Sequence, residues 1–315
     1  MIDHPYKPPL FFNNSHIQTI YPVLFRKVAT TYQRERIQTF DNDFLDLDWS
    51  CHNHDRLAII SHGLEGNTHR AYVKGMVNAV TQKGWDALAW NYRSCSGEPN
   101  QQLRSYHNGV TDDLARVIDH AKNKKSYTQI ALIGFSLGGN LSLLHLGKDH
   151  PDPIIKKAVT FSVPCDLKGS SKVLAKPSNR LYMKRFLVLL HKKIQAKMQL
   201  FPNEINDKEY YKIKDFKGFD DRYTAPIHGF KDALDYWKKC SSKRVIPFIK
   251  VPTLIVNALD DPFLSKSCFP VKEAAENKDI TLCTPESGGH VGFVAFNPQN
   301  RYWSEKKAVS FLNSD

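Results

Sequence analysis

No apolar run in this chain is long enough to cross a bilayer as a helix. The opening Met-Ile-Asp-His-Pro-Tyr-Lys-Pro-Pro lacks the basic-then-apolar pattern of a secretory leader. The expected location is therefore cytoplasmic, at most peripheral to the inner face of the membrane. Cysteine is scarce and scattered, with six residues at 51, 95, 165, 240, 268 and 283 and no Cys-x-x-Cys pair. That argues against a dithiol redox motif or a thiolate zinc site, and the cysteines read as reduced. Histidine is not scarce, but the tightest pair, His52 and His54, lies in a polar loop with no third ligand in view. No metal and no cofactor is expected. Internal repeats and low-complexity segments are also missing. What is present is ordinary globular material: 315 residues, 41% hydrophobic and 24% charged. The net charge of +12 is uneven, because residues 168–217 hold 13 Lys/Arg against 4 Asp/Glu. A basic excess confined to one segment argues against nucleic acid as a partner.

Along the chain, residues 1–29 are rich in proline and aromatics without a clear period, and read as a segment wrapping the surface. Two short alternating runs, 36–40 and 44–49, flank Asp41-Asn42-Asp43 and predict an antiparallel hairpin. Strand and helix then alternate. Apolar runs at 57–61, 87–92, 130–133 and 158–163 read as strands; 72–80, 110–121 and 137–146 read as helices. Alternation of this kind predicts a mainly parallel sheet with helices on both faces. The rhythm breaks over 167–250 and resumes with a strand at 252–259, a helix at 267–276, a strand at 280–282 and a closing helix at 302–312. The core is thus assigned to 30–166 and 251–315, with 167–250 as a helical lid. Inside that insertion Tyr182, Phe186, Leu190, Ile194 and Met198 fall near helical spacing, with Lys184, Arg185, Lys192, Lys193 and Lys197 between them. The stripe has two readings: a lid burying Phe186, Leu190 and Ile194 over a site, or a peripheral anchor pressing them into an anionic membrane.

The stretch from 129 to 147 carries the chemistry. A short buried strand runs into Gly134-Phe135-Ser136-Leu137-Gly138, and a leucine-rich helix follows. A serine on so sharp a turn is crowded, so Gly134 and Gly138 must lack side chains. A serine hydroxyl needs a base, and the base an acid to hold its tautomer. Ser136, Asp261 and His290 each follow a strand and would gather at the carboxyl edge of one sheet. Asp-Pro-hydrophobic after the strand favours Asp261 as the acid, with Asp260 as the alternative and Asp166 behind both. The oxyanion of an acyl-transfer intermediate needs two donors, for which the N–H groups of Leu137 and of Leu64, in His62-Gly63-Leu64-Glu65-Gly66, are suitably placed.

These residues make the chain resemble the YheT-like branch of the α/β-hydrolases. The resemblance spans nearly the whole length, through blocks at 16–20 (His-Ile-Gln-Thr-Ile), 62–66, 91–100, 105–109 (Ser-Tyr-His-Asn-Gly), 134–140, 219–221 (Phe-Asp-Asp), 257–263 and 288–290 (Gly-Gly-His). Ser94 and Asn108 stand where the family usually has glycine and serine. The resemblance implies an α/β-hydrolase fold with a helical lid insertion. It also implies a serine hydrolase for small-molecule or lipid esters, using Ser136, His290 and Asp261 through an acyl-enzyme. An acyltransferase using the same residues, or a hydrolase fold serving only to bind, are the alternatives.

Overall fold

The computed structural model describes residues 5–147 and 152–314. Eight strands form one sheet in the order β1-β2-β4-β3-β5-β6-β7-β8. The hairpin comes first, β1 (Gln33–Gln38) against β2 (Phe44–Ser50), and β2 pairs antiparallel with β4 (Asp86–Trp90). From β4 onward every pairing is parallel: β3 (Arg56–Ser61), β5 (Gln129–Phe135), β6 (Ile155–Phe161), β7 (Thr253–Val256) and β8 (Ile280–Cys283).

Strand alternation divides the core into two layers, since successive side chains point to opposite faces. Leu57, Ile59, Ile130 and Leu132 pack with Leu114, Val117 and Ile118 of α3 (Thr111–Lys124) and Leu141 of α4 (Leu137–Leu146). Ala58, Ile60, Ala131 and Ile133 face the other way. They meet Val73, Met76, Val77 and Val80 of α2 (Ala71–Thr81) and Ala308 and Phe311 of the closing helix Trp303–Leu312. The central strands are buried on both faces, which is why they read as continuous apolar runs.

Three features depart from the sequence reading. Residues Ser15–Phe25, expected to be irregular, form helix α1, whose start is capped by Asn14 accepting from the N–H groups of His16 and Ile17. The helix expected at 267–276 is cut to a 3₁₀ turn, Lys266–Cys268, and a short helix, Val271–Ala275, because Pro270 disfavours helical backbone at Phe269. The stretch 167–250 includes Ile246 and Ile249, which pack with the sheet core. Their carbonyls accept from the Asn277 amide.

The rest of 167–250 carries five α-helices joined by turns: α5 (Leu167–Leu174), α6 (Arg180–Leu200), α7 (Phe216–Phe219), α8 (Ala225–Ile227) and α9 (Ala233–Cys240). The helix Val271–Ala275 is α10 and Trp303–Leu312 is α11. A separate apolar cluster of Leu174, Met183, Leu187, Leu190, Ile194, Phe219 and Phe263 joins this layer to the loop after β7. Two lysines of α6 behave unlike a solvated basic face. Lys193 lies 3.1 Å from Glu65 Oε1, and Lys197 donates to the Asn100 carbonyl at 2.8 Å and to that of Gln102. Burial pulls the Lys197 ammonium down to about 8. Both turn toward core loops, because a lysine near the apolar seam finds carboxylate or carbonyl acceptors there.

One buried cation fastens the hairpin to the sheet. Arg93 is almost fully enclosed and forks onto Asp113 of α3, at 2.9 Å to each oxygen, and onto Asp41, at 2.8 and 3.0 Å. Asp43 lies 3.4 Å away. Replacing Arg93 by Met leaves Asp113 and Asp43 buried without their cation. The expected loss is about 3–5 kcal/mol of stability, read from urea unfolding.

Candidate active site

Strand β5 ends at Phe135 and α4 begins at Leu137, leaving Ser136 to turn the chain alone at φ 52° and ψ −115°. This is a strained conformation for a residue with a Cβ, and such strain persists only where the surroundings fix it. The Ser136 N–H donates to the Phe161 carbonyl of β6 at 2.8 Å, and its carbonyl accepts from Asn140 N–H. A methyl group on Gly134 would run into the Gly138 carbonyl; one on Gly138 would run into that of Ser61. Both glycines are therefore required by close approach of backbone to backbone.

His290 reaches this serine from the loop after β8. Its Nδ1 lies 2.9 and 3.0 Å from the two Asp261 oxygens, and its Nε2 lies 3.0 Å from Ser136 Oγ. A carboxylate only accepts, so Nδ1 carries the proton and Nε2 accepts from the serine hydroxyl. Asp261 is buried and also takes the Phe263 N–H at 2.9 Å, while the Phe263 ring packs 4.2 Å from the imidazole. Asp260 turns away and accepts from Gly289 N–H at 2.9 Å, which shapes the histidine loop. Burial pushes its carboxyl upward. Asp166 caps α5 through Gly169 N–H and accepts from Ser267 Oγ.

The turn after β3 lies beside the serine. His62 is buried, donating from Nδ1 to the Gly63 carbonyl at 2.8 Å and accepting at Nε2 from Tyr92 N–H. Burial drives its pKa down to about 3, so it stays neutral and structural. Leu64 and Leu137 both line the cleft that holds Ser136 and His290. Among the described residues, neither of their N–H groups is taken by a protein acceptor. Glu65, in left-handed backbone at φ 53°, is pinned on three sides. Tyr106 accepts from its N–H and donates to its carboxylate, Arg70 donates to its carbonyl, and Lys193 approaches from α6.

The cleft lies between the sheet edge and the helical layer. Its wall is mostly apolar, with Leu167 and Leu174 from α5, Phe186, Leu190 and Ile194 from α6, and Phe216, Phe219 and Trp237 beyond. The stripe expected on α6 is thus committed to the cleft and is unavailable as an outward anchor. Three side chains with no role in the sequence reading are prominent here. Thr19 of α1 accepts the His290 N–H at 2.9 Å, and Ser162 Oγ accepts that of Val291 at 2.9 Å. Asp220 sits in the cleft wall, buried, at the start of a π-helical stretch, Asp220–Thr224. It accepts from Thr224 Oγ1 at 2.6 Å and Trp237 Nε1 at 2.8 Å. Thr19 and Asp220 fall within the blocks 16–20 and 219–221, so a signal existed, but only the fold shows what each touches.

Asp220 gives the site a pH-dependent component. Burial pushes its carboxyl up to about 7 from an ordinary 3.8. The folded state therefore holds this proton more tightly than the unfolded chain. The resulting stabilisation is full below about pH 4 and is lost as pH rises through 7. Asp220→Asn is expected to flatten that decline, measured as urea midpoints from pH 4 to 8.

Comparison with known proteins agrees with this architecture. Residues 59–294 match the model of a family described as having the alpha/beta hydrolase fold. The chain is 34% identical to YheT of Escherichia coli strain K12 over 313 residues, 96% of this chain and 91% of that protein. It is 28% identical to phospholipase ABHD3 of Bos taurus over 305 residues, 93% and 74% of the two chains. Among solved structures, esterase Pf2001 of Pyrococcus furiosus superposes with a TM-score of 0.59 at 17% identity, covering 91% of this chain and 97% of that one. Motif, sheet order and sequence likeness agree: the chain belongs to the α/β-hydrolase family, as a YheT-like member.

Proposed function

We propose that the chain is a carboxylic ester hydrolase working through an acyl-enzyme on Ser136. The observation that carries the reading is the unbroken hydrogen-bonded line from Asp261 through His290 to Ser136 Oγ, open to an apolar cleft. As Ser136 Oγ attacks the ester carbonyl, His290 Nε2 takes its proton, and buried Asp261 stabilises the imidazolium that forms. The carbonyl oxygen becomes an anion facing the Leu64 and Leu137 N–H groups, which are fixed before the reaction begins. Collapse of the intermediate breaks the bond to the alcohol, which leaves with the proton from His290. Water then attacks the acyl group, gives its proton to the same nitrogen, and frees the acid and Ser136. The apolar wall supports an acyl chain as the group enclosed, with the helical insertion as its lid. The phospholipase name of one relative supports a lipid ester among the substrates.

The test is hydrolysis of p-nitrophenyl esters from acetate to dodecanoate by the parent and Ser136→Ala. Activity in the parent, falling roughly 10⁴–10⁶-fold in the variant, is expected. The best chain length then measures the apolar cleft, and ester cleavage that survives Ser136→Ala would overturn the proposal. Asp261→Asn should lose far more rate than Asp260→Asn, because only Asp261 faces the imidazole.

A further inference from the structure

Helix α1 is built inside out. Its buried residues are Gln18, Thr19 and Pro22, while Ile17, Ile20, Val23, Leu24 and Phe25 are 40–63% exposed. Both inward polar side chains make hydrogen bonds, although Gln18 Nε2 has no protein acceptor among the described residues. Gln18 accepts from Tyr6 Oη; Thr19 donates to the Ser15 carbonyl and accepts the His290 N–H. The outward apolar side chains continue onto neighbouring rings, since Tyr21 contacts Phe25 at 5.1 Å and Phe296, itself 59% exposed, at 5.8 Å. A contiguous apolar patch of this kind on a folded chain marks a surface that something covers.

The charge around it indicates what covers it. Residues 5–34 contain no Asp or Glu; Lys7 and Lys27 are exposed there, while Arg26 is buried against Glu305 and Arg34 pairs with Asp48. His16 of α1 stacks on Tyr182 of α6, their rings 5.7 Å apart, and the first turns of α6 expose Leu181 at 80% beside Arg180, Lys184 and Arg185. Residues 167–203 likewise contain no acid. A second copy of this chain would set these cations against their own kind, whereas apolar side chains bordered by Lys and Arg fit the headgroups and acyl boundary of an anionic bilayer.

We infer that the outward face of α1, with the basic first turns of α6, docks the protein on an anionic membrane surface. The apolar stripe of α6 takes no part, being committed to the cleft. Docking on α1 would set the bilayer against the element that also holds the catalytic loop, through Thr19. The inference is independent of the ester-hydrolase reading, because adsorption requires no chemistry at Ser136.

Sedimentation with vesicles tests it, using phosphatidylcholine containing one part in three phosphatidylglycerol against phosphatidylcholine alone. The parent and Ser136→Ala should bind the anionic vesicles equally, and binding should weaken as salt screens the lipid charge. Leu24→Asp with Phe25→Asp should reduce binding by about tenfold or more. Hydrolysis of a soluble p-nitrophenyl ester should stay within about twofold of the parent, since neither side chain enters the cleft. Lys184→Glu with Arg185→Glu should remove the preference for anionic vesicles. No binding by the parent, or binding unchanged in the Leu24/Phe25 variant, would overturn the inference. So would a dimer dispersed by that variant in a protein that ignores vesicles, which would assign the face to a second copy.

Discussion

The positive φ of Ser136 is the constraint around which the rest is arranged. A side-chain-bearing residue stays in that conformation only because β5 and α4 are buried on either side of it and the Ser136 N–H is tied to β6. The turn brings the Gly138 backbone against Ser61, so β3 must end beside β5, and the turn that follows β3 arrives next to Ser136. On the other side, β6, β7 and β8 follow in sheet order. The loop after β7 with Asp261 and the loop after β8 with His290 therefore fall on the same edge. Three residues distant in sequence meet because the strands that carry them are parallel and in this order.

The helical insertion brings its own solution to a charge problem. A strongly basic helix lying over an apolar cleft should repel its neighbours, yet Lys193 and Lys197 are absorbed by acceptors in the loops below. Glu65 takes the first, and the carbonyls of Asn100 and Gln102 take the second. These contacts tie α6 to loops at the sheet edge, and one of those loops carries Leu64. The remaining cations on the first turns of α6 stay outside, so a single helix presents a wall to the cleft and a charged surface to solvent.

Much of this was legible in the sequence where local pattern and fold agree. The hairpin around Asp41-Asn42-Asp43, the central strands and α4 carry their periodicity openly, and Gly134 and Gly138 announce the turn between them. Ser136, His290 and Asp261 could be singled out because each follows a predicted strand. Helix α1 escaped notice because its period is inverted: Gln18 and Thr19 face in and isoleucine faces out, the reverse of what an amphipathic search rewards. The inward turn of Lys193 and Lys197 was equally hidden, since their acceptors lie about a hundred residues away in the chain. Asp220 had a sequence signal, but its second partner, Trp237, is 17 positions farther on.

The hydrogen bond from His290 N–H to Thr19 joins positions 271 residues apart, and the imidazole meets a serine made 154 residues before it. On a ribosome Ser136 and the adjoining strands β3 and β5 emerge long before β8 and the loop that carries His290. A nascent chain in which the early strands have already formed thus holds Ser136 without its imidazole partner. The loop after β8 then brings His290, and α1, made much earlier, supplies through Thr19 the acceptor for its N–H. The Ser136–His290 pairing is in this sense a long-range feature that only the late strands can supply.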